Sequence, residues 1–414
     1  MSQVSVGPLG QVRIGERAAR TLTAELQRHP GPKSALLVGA GPDSLVLGEA
    51  LDALQPDDTL TIVGGDQSAA LRAYIASLDT EIAEACTVVQ TPTEASPAEI
   101  VVVAEPVVGA AEDARLTVEG LTKLVAEGGV LVVAVVAVPG VAGGAADELD
   151  RRSAQYGVGS DLVLLNTPPV RVHKLRFTEA AASAAAGLSP TFRTSSVPLT
   201  GSMHIDSNGV AAAGLALGAA ALLKTIRPKS RAWWLPALAA APVAAFFRDP
   251  HRSVPSDPAA VVAASDGKVL SVERLYDERF ADEEFLRIAV FLSVLDVHIN
   301  RCPVAGKVVD YFVEDGGYAA AMRAEAEHNV AAYTVLEEAH GRGKVVVAQR
   351  TGLIARRIVQ RAPVGALVAK GERFGLIRFG SRTDVYLPAD AAEALVAPGD
   401  RVIGAETVIA RWTR

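Results

Sequence analysis

The sequence predicts two domains, an N-terminal α/β domain with a Rossmann-like parallel sheet and a C-terminal β-rich α+β domain, the second preceded by an apolar helical hairpin. Three observations carry this reading. The 414 residues exceed what one hydrophobic core usually organises. Apolar runs alternate with helical stretches from residue 34 to about 138, whereas beyond Arg248 the pattern changes to short alternating strands. Between the two regions, a pair of apolar stretches encloses a basic loop.

In the first region the runs SALLVGAG, TLTIVGG, EIVVVAE and GGVLVVAVVAV are rich in Val, Ile and Leu, as parallel strands covered on both faces must be. Helices are predicted between them near 44–53, 68–77 and 117–126. A linker rich in Ser, Thr, Pro and Gly follows over 190–208. The predicted boundaries are 1–195 for the α/β domain, 196–247 for linker and hairpin, and 248–414 for the β-rich domain.

The hairpin stretches are VAAAGLALGAAALL (210–223) and WWLPALAAAPVAAFF (233–247), with Lys224, Arg227, Lys229 and Arg231 between them. Each is shorter than the roughly 20 residues of a full span, so two tilted spans and a shallow hairpin both stay open, with a buried Ala-rich helical pair between the domains as the alternative. The flanking cations and the Trp pair suit an anionic membrane surface.

The β-rich region contains KVLSV, RIAVFL, KVVDYFV, KVVVAQ and ARRIVQ, with a helical interruption predicted near 318–327. LVAKGER at 367–373 is echoed by LVAPGDR at 395–401, each reading as a strand edge, a tight Gly turn and an onward strand.

A formal charge of −7 lacks the basic excess of a nucleic-acid binder. Cys86 and Cys302 stand apart with no CxxC or Cys/His ligand spacing, which supports neither a disulfide framework nor a metal site and fits a reducing environment. The first residues lack the continuous apolar core of a secretory signal. Attachment through the internal hairpin at the cytoplasmic face of the cell membrane is therefore expected.

RFGLIRFGSRTDVYLP reads as a strand, a Gly-Ser corner at Gly380 and Ser381, and a second strand. In order, FFRDPHR, ASDGKV, FLSVLDVHINRCPVAGKV, QRTGLIARRIV, GERFGLIRFGSRTDVYLP and GAETVIARW resemble the blocks of the short-form phosphatidylserine decarboxylases, from about residue 210 onward.

The resemblance implies a proenzyme cut between Gly380 and Ser381, whose β and α chains stay associated and whose new terminus carries a pyruvoyl cofactor made from Ser381. It further implies decarboxylation of phosphatidylserine to phosphatidylethanolamine and CO2 through a Schiff base with that group, in phospholipid biosynthesis. Gly380 has no Cβ to shield its carbonyl, and the Ser381 hydroxyl is tethered beside it. That hydroxyl needs a base. His298 in DVHIN matches the family position, with Asp266 in SDGK fixing its tautomer and Asp296 as a competing partner.

Two departures stand out. Long-form relatives carry HxxH where this chain has Arg301 three residues after His298, and an NER-type signature is replaced by AEAEHNVAAY, in which Asn329 fills one place. Self-association of the chain is left open.

LLVGAGPDS followed by a helix, with LTIVGGD ending at Asp66, resembles the first two strands of class I methyltransferases. That resemblance implies S-adenosylmethionine held by Gly39, Gly41 and Asp66. NTPPV at 166–170 is similar to a methyltransferase motif but falls after the strand that should carry it. Two readings stay open: a docking or regulatory module, or an active methyltransferase in a bifunctional enzyme.

Overall fold

The computed structural model describes residues 12–138, 143–190, 196–200, 203–353, 357–377 and 381–413. The chain divides into two compact units, Met1–Thr194 with Gly365–Leu367, and Ser195–Val364 with Val368–Arg414.

In the first unit a seven-stranded sheet comprises β1 (Ser34–Val38), β2 (Thr59–Val63), β3 (Cys86–Val89), β4 (Ala98–Val103), β5 (Val125–Val136), β6 (Gly157–Val163) and β7 (Val170–Leu175). Their order is β3-β2-β1-β4-β5-β7-β6. Strands β1 to β5 are parallel, and β7 enters antiparallel between β5 and β6. This is a Rossmann-like sheet with one antiparallel strand inserted near its end. Adjacent residues serve opposite faces: Leu37, Ile62 and Val102 pack in one core, and Leu36, Val101 and Val133 in the other. That two-sided burial is why the strands read as continuous apolar runs.

One predicted helix is displaced. The chain is helical over Ala111–Thr122, where Glu112 and Asp113 supply the acidic first turn, and is already extended from Val125, which pairs with Ala98. The strand begins three residues before the Gly128-Gly129 pair that opens the predicted run.

In the second unit, helix α1 (Ser207–Ile226) and helix α2 (Trp234–Phe246, with Pro242 inside) pack against each other. The side chain of Asp206 caps α1 by accepting from the Asn208 N–H at 3.0 Å, and it also accepts from Arg361 at 2.7 Å. Flanking strands Met203–Asp206 and Arg248–Pro250 pair antiparallel and close the base of the hairpin. At 20 residues α1 is longer than the apolar run that announced it, and its mean hydropathy is 1.7.

The remainder is built on an eight-stranded antiparallel sheet and smaller sheets. The strands that matter for the site are β8 (Gly267–Tyr276), β9 (Glu284–Leu292), β10 (Ile299–Arg301), β11 (Gly306–Glu314), β12 (Ala331–Glu338), β13 (Lys344–Arg350), β14 (Ile358–Gln360), β15 (Arg373–Ile377) and β16 (Ser381–Pro388). Six of them run β11-β12-β13-β16-β9-β8 across the large sheet, while β10, β15 and β14 form a small one. Strand β16 pairs with β13 on one side and β9 on the other, and all eight of its residues are buried. In place of the predicted helix at 318–327 there is only a short 3₁₀ turn, Ala324–His328.

The internal echo is structural. Gly371 and Gly399 both adopt positive φ, 78° and 103°. In each turn an acidic side chain accepts from the backbone N–H three residues earlier, Glu372 from Ala369 at 2.7 Å and Asp400 from Ala397 at 2.8 Å.

Candidate active site

Alternation along β16 sorts its side chains between two environments. Arg382, Asp384 and Tyr386 face one way, where the buried Asp384 carboxylate accepts from Arg350 at 2.8 Å and Arg382 at 2.6 Å. Ser381 and Thr383 face the other. Thr383 shares a 2.7 Å hydrogen bond with the Ser265 hydroxyl and lies directly across from Gln349.

The Gln349 side chain donates to the Asn300 carboxamide oxygen at 2.7 Å, which ties the large sheet to β10. Ser381 is fully buried, and its Oγ has no hydrogen-bond partner among the described residues. The same holds for Nδ2 of Asn300 and Oε1 of Gln349. Gly380, the residue carrying the carbonyl of the expected cut, lies outside the described residues.

His298 is buried just before β10, and its backbone carbonyl accepts from Ile377 N–H at 3.3 Å, on the strand that leads towards Ser381. Its Nδ1 lies 2.9 Å from the carbonyl oxygen of Asp296. A carbonyl only accepts, so Nδ1 carries the proton and Nε2 the lone pair. Burial pushes this imidazole down to about 4, which keeps it neutral at pH 7.

This corrects the expected role of Asp266. Its carboxylate accepts from Arg252 at 2.7 and 2.8 Å and from the Gly404 N–H at 2.8 Å. A carboxylate held by a guanidinium in the turn of SDGK is not the group that fixes His298; the Asp296 backbone does so. Within SDGK it is Ser265 that reaches β16. The Asp296 carboxylate instead closes its own turn, accepting from Ser293 N–H at 2.8 Å. Because Ser381 Oγ is without a partner, the expected hydrogen bond from nucleophile to base is not formed in this structure.

Both departures from the family motifs have structural partners. Arg301 donates to buried Asp249 at 2.6 Å, and Arg373 donates to the same carboxylate at 2.8 Å. Asn329 donates to the carbonyls of Ala319 and Thr351 at 2.9 and 2.8 Å, which pins the loop after β11.

In the first unit, strand order reverses between β1 and β4, the position where open α/β sheets bind ligands. Gly39 follows β1 with φ 81°, and a Cβ added there would come within 3.9 Å of the Glu105 side chain, which follows β4. A Cβ on Gly41 would lie 2.2 Å from Oε1 of Gln67, so this glycine admits the side chain beside exposed Asp66. A positive-φ glycine, a second glycine in close approach and an acid after β2 fit a nucleoside-type cofactor such as S-adenosylmethionine.

Comparison with known proteins decides the second unit. A family model described as phosphatidylserine decarboxylase matches residues 240–410. The phosphatidylserine decarboxylase proenzyme of Symbiobacterium thermophilum is 48% identical over 167 residues, covering 40% of this chain and 77% of that protein. The chain belongs to the phosphatidylserine decarboxylase family. The proenzyme of Nocardia farcinica is 40% identical over 203 residues, covering 48% of this chain and 85% of its own length. The family match thus takes in Phe246, His298, Asn300, Gln349 and Ser381.

Solved structures similar to this chain include methyltransferases. The O-methyltransferase TomG from Streptomyces achromogenes, in complex with SAM, is 15% identical with a TM-score of 0.30, covering 40% of this chain and 83% of its own. A precorrin-6y C5,15-methyltransferase from Geobacter metallireducens is 16% identical with a TM-score of 0.29, covering 42% and 94%. At this level of likeness nothing about the ligands of this chain follows from them.

Of the residues that the sequence points to, Ser381 opens β16 of the large sheet and His298 immediately precedes β10 of the small one, while Asp266 belongs to the turn before β8. Sequence reasoning missed Ser265, Asn300, Gln349 and Thr383. All four sit inside the motif blocks, and Ser265, Asn300 and Thr383 lie within two residues of Asp266, His298 and Ser381.

Proposed function

We propose that this chain cuts itself between Gly380 and Ser381 and then decarboxylates phosphatidylserine to phosphatidylethanolamine at an anionic membrane surface. The observation that carries the reading is the Ser381 hydroxyl, fully buried at the first position of a central strand and unpartnered among the described residues. Leaving a buried hydroxyl unpaired costs about 1–3 kcal/mol, a cost that a structural serine would avoid.

Ser381 Oγ attacks the Gly380 carbonyl carbon, the C–N bond breaks, and the nitrogen takes the proton, leaving an ester. Neutral Nε2 of His298 is the base that receives the hydroxyl proton and returns it to the departing nitrogen. Loss of the Cα proton of residue 381 expels the Gly380 carboxylate from Cβ. Tautomerisation and hydrolysis then release ammonia and leave a pyruvoyl cap.

The orphaned polar atoms of Asn300 and Gln349 give the face of β16 that carries Ser381 the donor and acceptor capacity a polar cap and a polar headgroup require, so the residues present fit the group. A pyruvoyl cap supplies an electrophilic carbonyl for the substrate amine and an electron sink for the bond to the departing carboxylate. The chain's part is to exclude water from the site and to hold the neutral base.

Exposed Leu215, Leu222, Leu235 and Leu238 on the hairpin, with Lys224 stacked 5.1 Å over Trp233 near its tip, support insertion among lipids beneath a basic collar. The placement of Phe246 against His298 brings the base of the hairpin to the same site.

Intact mass tests the reading. Purified protein should appear as two chains, the smaller one beginning at residue 381 and refractory to Edman sequencing, and Ser381→Ala should stay in one piece. A fully active uncut chain would overturn it.

A second reading concerns the first unit, where Gly39 and Gly41 follow β1 and Asp66 follows the adjacent β2, beyond the carboxyl ends of the strands. We propose that these residues bind S-adenosylmethionine. Titration calorimetry on the full chain tests it.

A further inference from the structure

Asn300 and Gln349 are both fully buried, and one hydrogen bond joins their amides. Each amide keeps one atom unpaired, Nδ2 of Asn300 and Oε1 of Gln349. The choice of oxygen and nitrogen does not change the outcome: flipping both amides leaves the Asn300 oxygen and the Gln349 nitrogen unpaired instead. In either arrangement the pair presents one donor and one acceptor.

The pair is also placed for the reaction. Gln349 is directly opposite Thr383 on β16, so it lies diagonally from Ser381 on the same face of the sheet. Room for it comes from Gly375, paired with Asn300, where an added Cβ would meet the Gln349 amide at 3.0 Å.

We propose that the Asn300–Gln349 amide pair reads the serine headgroup, donating to the carboxylate and accepting from the amine, and thereby separates substrate from product. This rests on the assignment of Ser381 as the reacting position. A serine headgroup carries an anion and an N–H donor on one carbon, which is the complement of one amide donor beside one amide acceptor. The ethanolamine product has lost the carboxylate, so binding it leaves the donor unpaired again. Discrimination against product follows from the same two atoms that hold substrate.

The test uses the full chain in mixed micelles. KM for phosphatidylserine and the competitive Ki of phosphatidylethanolamine are measured for wild type and for Asn300→Leu/Gln349→Met. Replacing both amides with apolar groups of similar shape leaves no new orphan. The double variant should be cut as completely as wild type, kcat/KM should fall about 100-fold or more, and the ratio of Ki to KM should drop to within about threefold of unity, as two lost hydrogen bonds to charged groups require.

A double variant that is cut normally and keeps the wild-type ratio overturns the proposal. One that folds but is not cut assigns the pair to self-cleavage and overturns it equally. Should the variant aggregate, the wild-type measurement decides, because a mature enzyme that binds both lipids equally has no headgroup reader. A wild-type chain that stays in one piece would count against Ser381 instead.

Discussion

The ring of Phe246, the last residue of helix α2, lies 4.2 Å from the ring of His298. Phe246 also packs in an apolar cluster with Phe247, Val297, Ile299 and Leu376. The pKa of His298 is thus set in part by the hairpin. Phe246→Ala should let water reach the ring and move its pKa up from about 4 towards 6.5, measurable by NMR titration of uncut Ser381→Ala protein carrying the change. An unmoved titration would dissociate the hairpin from the base.

Between pH 4 and 6.5 the unfolded chain binds a proton at this position that the folded chain refuses. Stability should therefore rise with pH across that window and be flat above it as far as this group is concerned, by up to about 3 kcal/mol. Denaturant unfolding at pH 4.5 and 7 of Ser381→Ala protein, with and without His298→Gln, isolates the contribution. His298→Gln should also slow self-cleavage at least about 100-fold, while the wild-type rate stays level from about pH 5.5 to 8. A variant that is cut at the wild-type rate removes His298 from the mechanism.

Asp266→Asn should cost roughly 1–3 kcal/mol, through the weakened pairing with Arg252 and Gly404, and leave the His298 tautomer as it is. Ring nitrogen chemical shifts report the tautomer directly. Movement of the His298 proton to Nε2 in this variant would restore the role that the sequence suggested for Asp266.

Changing Leu215, Leu222, Leu235 and Leu238 together to Ser should lower binding to vesicles rich in anionic lipid more than about 100-fold, because each leucine gains about 1.5–3 kcal/mol on burial. Reversing Lys229 and Arg231 to Glu should weaken binding about 10-fold or more at low salt and much less at high salt. Full retention of the leucine variant on vesicles would place the membrane contact elsewhere.

S-adenosylmethionine should bind the full chain, with Asp66→Ala weakening it about 10-fold through loss of a ribose contact. No heat with wild type would leave the first unit as a scaffold without this cofactor.

Much of this architecture was legible because the signals were local. Apolar runs between helices gave β1, β2, β4 and β5, and the Gly-Ser block gave β16. The antiparallel insertion of β7 was not legible, since strand order is decided by pairing across the chain and not by any residue in VRVHKL. Strand β12 was passed over, because AAYTVLEE joins a helix-prone end to a short β-prone middle. At the site, side-chain identity suggested Asp266 for His298, whereas a backbone carbonyl, which has no sequence signature, took the place. Asn300 and Gln349 escaped notice because an amide's importance here lies in what it leaves unpaired.

Strand β16 is held on both sides, by β9 along all eight of its residues and by β13 from Arg382 to Tyr386. A cut before Ser381 would leave the short piece as the middle stave of a sheet whose neighbours all belong to the long piece. The two products would then behave as complementing fragments of a split protein, with no hinge along which one can peel from the other. Their separation should require opening of the whole sheet, so the lifetime of the two-chain enzyme would equal the unfolding time of the domain. Covalent continuity would be dispensable there because the fold is complete before the bond is lost.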